Sequence, residues 1–235
     1  QLDVVWNLTL AANIISANVP YSQIETIEQV AGVEAVYIET RYEPAVVDTD
    51  EPDDPQMATS SAMIGSASAW AAGYTGAGGR VAVIDTGIDT DHQSFDADAL
   101  MYSLTYQAGV VGKDPAEFLP SLNMLDAEEV AGVKDQLNVN IDPAKTYISK
   151  KIPFAYNYID KNYNITHDTD TQGEHGSHVE GIAAANRYIP NGDGTFSNAL
   201  KTVLVQGVAP DAQILTMKVF GSGGGAYDSD YLAAI

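Results

Sequence analysis

The chain of 235 residues contains no cysteine. This absence excludes disulfide bonds, thiolate nucleophiles and zinc sites built from cysteine. Basic residues are scarce, since 11 Lys and Arg stand against 32 Asp and Glu and give a formal net charge of -21. A surface of this charge repels nucleic acid and anionic membranes, so we expect neither as a partner. No apolar run reaches the roughly 18 residues that a membrane helix needs, so we expect no membrane insertion.

What is present is enough apolar material for a folded core. Hydrophobic residues make up 45% of the chain and charged residues 18%, which is typical of a globular protein and not of a disordered one. The amino-acid composition changes twice along the chain. We therefore divide it into a first unit at residues 1–42, a linker at 43–57 and a larger domain at 58–235.

The first unit is predicted to fold as strand, helix and strand. Residues 10–19 are largely apolar and extended in character. Ser22 and Glu25 have the spacing of a capping box, and the helix after them ends at Gly32. Residues 33–40 are rich in β-branched and aromatic side chains, which predicts a second strand.

The linker has too little apolar surface to fold. Pro44, Pro52 and Pro55 lie among six acidic residues. Such a segment is expected to be exposed, either as a simple tether or as a processing segment that proteases can reach.

The larger domain alternates helices and strands, which indicates the α/β class. Residues 80–84 form a short apolar run typical of a strand buried on both faces of a parallel sheet. Residues 97–150 are polar and irregular, and we interpret them as a surface insertion. The remaining predicted elements are a helix at 63–72, a glycine-rich loop at 73–79, a helix at 176–186, a strand at 214–220 and a helix from 229 onward.

Two residues lie at positions that are typical of catalytic side chains. Asp85 ends the apolar strand, and sites of open α/β sheets form at the carboxyl ends of strands. The plain alternative is a turn or capping acid. His175 opens a predicted helix, whose dipole helps an imidazole to remain a neutral base.

A metal site is a second interpretation of the histidine segment. His175 and His178 could share a helical face, with Glu174 or Glu180 as a third ligand. The spacing His-Glu-x-x-His of metalloproteases is absent, which disfavours this interpretation.

Other familiar binding and catalytic motifs are absent or incomplete. The glycines at 76–79 precede their strand, whereas a dinucleotide loop follows one. No P-loop and no Gly-x-Ser-x-Gly elbow is present, and the segment 168–173 departs from a calcium-binding EF-hand loop.

The two boxes Asp-Thr-Gly-Ile-Asp at 85–89 and His-Gly-Ser-His-Val-x-Gly at 175–181 resemble those of the subtilases, in the family's order of Asp before His. Residues 207–220 resemble the family's strand that leads to the substrate-binding edge. The resemblance implies a serine endopeptidase in which His175 is the general base and Asp85 orients it. It also implies that Gly223, Gly224 and Gly225 form the edge that binds an extended peptide.

The resemblance implies further properties of the protein. Residues 1–42 resemble the end of the inhibitory propeptide, an α+β ferredoxin-like unit, so the first unit is expected to inhibit the enzyme within the same molecule. The segment around residue 152 is similar to that of the cell-envelope group, which includes lactocepin. We therefore expect a secreted, extracellular or wall-associated protein of a Gram-positive bacterium.

The chain has no box of the Gly-Thr-Ser-Met-Ala type that carries the family's nucleophile. We therefore expect an incomplete parallel sheet flanked by helices, the N-terminal part of the catalytic domain, and no activity from these residues alone. A protein that kept Asp85 and His175 but lost the serine, and so only binds, is the alternative within the family.

Two departures from the family matter. Glu180 stands where Ala is usual, and we expect it to face the helix start or solvent. Ser94 stands where small subtilisins have a calcium-binding Asp, so that site is not carried over. No cofactor is expected for these residues, although structural calcium elsewhere in the full-length protein remains compatible with the family.

Overall fold

The computed structural model describes residues 2–44, 57–166 and 173–235. The predicted linker therefore lies, apart from its two ends, outside the described residues, as does nearly all of the segment 168–173. The first unit contains strands β1 (Asp3–Leu8) and β2 (Ile14–Asn18), helix α1 (Ile24–Glu28) and strand β3 (Arg41–Tyr42). No helix within the three described ranges is both long enough and apolar enough to cross a lipid bilayer.

The larger domain alternates helices and strands as predicted. Its elements, in chain order, are α2 (Met57–Met63), α3 (Ser66–Ala71), β4 (Arg80–Asp85), α4 (Ala97–Val110), α5 (Pro115–Ser121), α6 (Ala127–Val133), α7 (Pro143–Thr146), β5 (Phe154–Asn157), α8 (His175–Ala184), β6 (Tyr188–Pro190), β7 (Phe196–Asn198), α9 (Ala199–Thr202), β8 (Gln213–Lys218), β9 (Ala226–Tyr227) and α10 (Asp228–Ala234). The helix predicted at 63–72 is α3 and begins only at Ser66, because Gly65 before it adopts a φ of 79° and separates it from α2, which was not predicted.

A three-stranded parallel sheet organises this domain. Its strand order is β4-β8-β5, so β8 lies in the middle and pairs with both neighbours. Asp85 of β4 lies opposite Lys218 of β8, and Asn157 of β5 lies opposite the same residue. The carboxyl ends of all three strands therefore meet at one edge of the sheet, as the α/β prediction requires. The central strand is the best buried, and Ile214 is 0% exposed.

Strand β4 is less buried than its sequence predicts. Within the described sheet it is an outer strand, and Ala82 is exposed while Val83 is buried. The apolar run therefore suggested burial on both faces, which β4 does not attain.

Residues 97–150 contain helices α4 to α7, which their irregular sequence pattern did not indicate. Their interpretation as a surface insertion stays a prediction. Helix α4 has 14 residues, and the side chain of Asp96 caps it by accepting a hydrogen bond from the amide of Ala99 at 2.7 Å. Its buried face combines Leu100 and Leu104 with the polar side chains of Ser103 and Gln107. This mixed face explains why no apolar period was visible in the sequence.

The first unit also differs from its prediction. Strand β1 was not predicted, yet it pairs antiparallel with β2. Residues 33–40 form no strand, and Tyr37 and Ile38 are largely exposed. The Ser22 side chain caps nothing, because a 3-10 turn precedes α1 and Gln23 is the cap residue without a side-chain bond.

The first unit packs on the end of the larger domain. Trp6 and Leu8 of β1 belong to the same buried cluster as Tyr158 and Phe220. The indole nitrogen of Trp6 donates to Oδ1 of Asp230 in α10 at 2.9 Å, within the buried region. The two units thus share one hydrophobic core and a buried hydrogen bond.

The central strand gives a test of where the stability lies. Replacing Ile214, which is fully buried, with Ala should cost about 2–5 kcal/mol of unfolding free energy, because it removes apolar contacts and leaves a cavity. The same change at Ile148, which is 39% exposed, should cost much less. Denaturant unfolding of the two variants measures both values, and equal losses would contradict the assignment of β8 to the core.

Candidate active site

Asp85 and His175 come together at the carboxyl edge of the sheet. Asp85 is the last residue of β4, and His175 is the first residue of α8. Oδ1 of Asp85 lies 2.8 Å from Nδ1 of His175. The side chains are 16% and 25% exposed, respectively, so the pair is shielded from solvent on most sides yet reachable. The structure thus brings together the two residues that the sequence singled out, although 90 positions separate them.

Thr86 connects the parts of this site. Its amide donates to Oδ1 of Asp85 at 2.7 Å, and its hydroxyl accepts from the amide of Gly176 at 2.8 Å. Its carbonyl accepts a hydrogen bond from the ammonium of Lys218 on β8. The carboxylate, the first turn of α8 and the central strand are therefore held by one residue, which the sequence did not identify because threonine is common in turns.

Two glycines allow α8 to approach the strand end. A Cβ on Gly176 would lie 2.1 Å from the carbonyl oxygen of Gly87, far inside any real contact distance. Gly87 itself has a φ of 109°, and a Cβ there would lie 2.0 Å from the carbonyl oxygen of Ile165. The backbones must touch at this point for His175 to reach Asp85.

The expectation that Glu180 faces the helix start or solvent is wrong. Glu180 is 1% exposed, and its Oε1 accepts a hydrogen bond from the hydroxyl of Thr216 on β8 at 2.8 Å. Burial raises the pKa of Glu180 well above its ordinary value, and the nearby Asp85 acts in the same direction. The helix side that carries Glu180 packs on the sheet, which the resemblance to an Ala-bearing family did not indicate.

His92 and His178 lie apart from this pair. His178 is exposed and lines a cavity of about 180 Å³ together with His92 and Asp89. Burial and the neighbouring Asp91 raise the pKa of Asp89. Among the described residues, no group of three His, Asp or Glu side chains is arranged to hold a metal ion. Of the four residues of the metal interpretation, Glu174 and His178 line this cavity, whereas His175 contacts Asp85 and Glu180 is buried against β8.

A strand edge lies next to the glycines predicted to bind substrate. Ala226 and Tyr227 of β9 pair antiparallel with Tyr42 and Arg41 of β3. Gly223, Gly224 and Gly225 directly precede this pairing and are themselves not in a strand. A Cβ on Gly225 would lie 2.5 Å from the Arg41 side chain, so Gly225 makes room for that side chain, whereas nothing lies within 4 Å of a Cβ on Gly223.

Acidic side chains hold the first unit at the start of α10. Oε1 of Glu39 accepts from the amide of Ser229 at 2.8 Å, and its Oε2 accepts from the hydroxyl of Ser16 at 3.0 Å. Asp228 accepts from the amide of Thr40 and from the hydroxyl of Tyr42, each at 2.8 Å. The bond to Asp228 raises the pKa of Tyr42. Sequence inspection missed these residues, since isolated acids give no signal in so acidic a chain.

A carboxylate that binds one nitrogen of an imidazole leaves the other nitrogen able to take and return a proton. This pair lies at the carboxyl edge of a parallel sheet. These features define an α/β protein with the acid and base partners of a nucleophilic hydrolase.

The comparison with known proteins identifies the family. Residues 76–235 match the Subtilase family, and the chain belongs to it. The resemblance inferred from the two boxes is thereby confirmed, as is the α/β fold with a parallel sheet between helices.

Relatives of known name extend over nearly the whole chain. It is 32% identical over 211 residues to the PII-type proteinase of Lacticaseibacillus paracasei and to the PI-type proteinase of Lactococcus lactis subsp. cremoris, covering 88% of the chain and 9% of each relative. It is 26% identical over 231 residues to the minor extracellular protease Vpr of Bacillus subtilis (strain 168), covering 94% of the chain and 20% of the relative. The chain therefore spans a tenth or less of the proteinases and a fifth of Vpr.

The glycine contact predicts opposite results for two glycines of α8. Gly176→Ala should destabilise the protein by about 1–3 kcal/mol and separate His175 from Asp85, because the new methyl group collides with the Gly87 carbonyl. Gly181→Ala is the matched control, since nothing lies within 4 Å of its Cβ position. It should stabilise the helix by about 0.5–1 kcal/mol. Denaturant unfolding and the His175 ring shifts in NMR spectra report both effects, and a harmless Gly176→Ala would disprove the close approach.

Proposed function

We propose that this chain is part of a secreted serine endopeptidase that hydrolyses the peptide bonds of proteins through an Asp–His–Ser triad. The observation that carries the proposal is the 2.8 Å contact between Nδ1 of His175 and Oδ1 of Asp85. It is supported by membership of the Subtilase family and by relatives that are named proteinases.

Each residue has a definite role in this proposal. With Nδ1 bound to Asp85, Nε2 of His175 is free to accept the proton of a serine hydroxyl as the oxygen attacks the substrate carbonyl. His175 then returns that proton to the leaving amine. Asp85 fixes the ring and stabilises the imidazolium that forms in between. The serine is supplied by the full-length protein outside these 235 residues.

The substrate is an extended peptide that adds to the edge of β9. Main-chain pairing is the interaction by which a strand edge binds peptides of different sequence. Arg41 and Tyr42 pair with this edge in the present structure, and Gly225 leaves space for the Arg41 side chain beside it. This proposal gives Gly223, Gly224 and Gly225 the role of accommodating the substrate backbone.

The first unit is proposed as an intramolecular inhibitor, the C-terminal part of a propeptide. Strand β3 covers the edge that the substrate needs. Glu39 and Asp228 anchor the segment around it on both sides of the contact. A peptide held there by the same chain blocks the edge until the connection is cut and the unit leaves.

The proposed location is outside the cell, free or attached to the wall of a Gram-positive bacterium. One relative is named an extracellular protease, and the organisms of all the relatives given above are bacteria of this kind. The mechanism uses side chains of the protein alone. Structural calcium elsewhere in the full-length protein stays a prediction from the family.

Labelling with a fluorophosphonate probe tests the catalytic proposal in the full-length protein. The wild type should be labelled, His175→Ala should abolish labelling, and Asp85→Asn should slow it by about 10⁴-fold because the imidazole loses its orienting partner. His178→Ala is the matched control, since this exposed histidine lies on the same helix without contacting Asp85, and it should be labelled normally. A folded wild type without labelling would favour a protein that only binds, and loss of activity with a chelator but not with the probe would favour a metal hydrolase.

N-terminal sequencing of the secreted protein tests the inhibitor proposal. Cleavage is expected between Thr40 and Met57, downstream of the contacts made by Glu39. The His175→Ala variant should remain uncut, because the enzyme itself performs the cleavage. A mature protein that begins upstream of residue 40 would contradict the proposal.

A further inference from the structure

Helix α8 turns an unusual stripe of residues toward the sheet. Gly176, Glu180 and Ala184 recur at every fourth position and are all buried. Such a stripe is normally apolar. Because glycine and alanine have little or no side chain, Glu180 is the one long side chain of this stripe. Its carboxyl group occupies the space between the helix and β8.

Only one oxygen of this carboxyl group has a hydrogen-bond partner among the described residues. Its Oε1 accepts from the hydroxyl of Thr216 at 2.8 Å, whereas its Oε2 has no hydrogen-bond partner in the part of the chain that the structure describes. A buried carboxylate needs hydrogen bonds or a cation at both oxygens, while a neutral acid costs far less to bury.

The negative charge of Asp85 also disfavours an anion at Glu180. The sheet strands packed against α8 are β4 and β8. Strand β4 contributes Asp85, and β8 contributes Lys218, whose ammonium is bound to the Thr86 carbonyl. On α8 itself, His175 contacts Asp85 and His178 is exposed. Burial first and Asp85 second raise the pKa of Glu180, and the Thr216 hydroxyl lowers it.

We propose that Glu180 is a positioning residue, an uncharged carboxyl group that sets the spacing between α8 and β8 at which His175 meets Asp85. The proposal rests on the function assigned to that pair above. His175 lies five residues before Glu180, about 7.5 Å along the helix axis. If the carboxyl group ionised, the anion would have to draw in water or push α8 away from the sheet, and either movement would separate His175 from Asp85.

The pH dependence of fluorophosphonate labelling in the full-length protein tests this role. The pKa of Glu180 is raised in the folded state, so its contribution is complete at low pH and is lost as pH rises through that folded pKa. The wild-type labelling rate should therefore fall at alkaline pH, by up to about tenfold per pH unit above the pKa of Glu180.

Two variants should change the alkaline fall in different ways. Glu180→Gln keeps the shape and the acceptor for Thr216 but cannot ionise, so the alkaline fall should disappear while the rate near neutral pH stays close to that of the wild type. Thr216→Val removes the hydroxyl that favours the charged form, so the fall should move to higher pH. Glu117→Gln removes an exposed glutamate from α5 and should leave the profile unchanged.

Several results would overturn the proposal. The first is a labelling rate of Glu180→Gln that falls at the same alkaline pH as that of the wild type. The second is a labelling rate of Thr216→Val that falls at the wild-type pH. The third is a labelling rate of Glu180→Gln that is reduced by the same factor at every pH. The last result would mean that Glu180 only fills space.

A second measurement separates this proposal from the proposed function. If the folded wild type is not labelled, the protease assignment fails, but the His175 ring can still be followed by NMR as a function of pH. The wild type should then show a second, alkaline inflection at His175 that is absent in Glu180→Gln and moved upward in Thr216→Val. A wild type without that second inflection would disprove the positioning role, whatever the activity.

Discussion

The close approach of helix α8 to the end of strand β4 is the constraint on which the site depends. The backbones of Gly87 and Gly176 touch where any side chain would collide, and Thr86 joins the strand end to the first turn of the helix. Asp85 lies two residues before Gly87, and His175 directly precedes Gly176. The backbone contact therefore brings the strand end and the helix start close enough for the 2.8 Å contact between the two side chains.

The sequence predicted this site because its signals are local. Asp85 ends an apolar strand and His175 begins a helix, so each residue could be placed by the element beside it. The burial of Glu180 could not be predicted in this way, since its surroundings come from Thr216 on a strand distant in sequence. The order of strands in a sheet decides which side of a helix is covered, and local patterns do not contain that order.

The first unit was harder to predict for a related reason. Its strand β1 carries Trp6 and Leu8, whose burial depends on the larger domain and not on a period within the unit. Conversely, the apolar residues at 33–40 have high strand propensity but find no partner strand among the described residues. Propensity reports how a residue fits a sheet, and only tertiary contacts decide whether a sheet is available.

The pairing of β3 with β9 has a kinetic consequence. Both strands belong to one chain, so the effective concentration of β3 at the edge of β9 is higher than a dissolved peptide easily reaches. A single break in the chain between the units would leave every contact in place while turning an intramolecular association into a bimolecular one. Dilution would then remove the first unit at a rate set by its dissociation, which depends on how slowly Glu39, Asp228 and Asp230 release their partners.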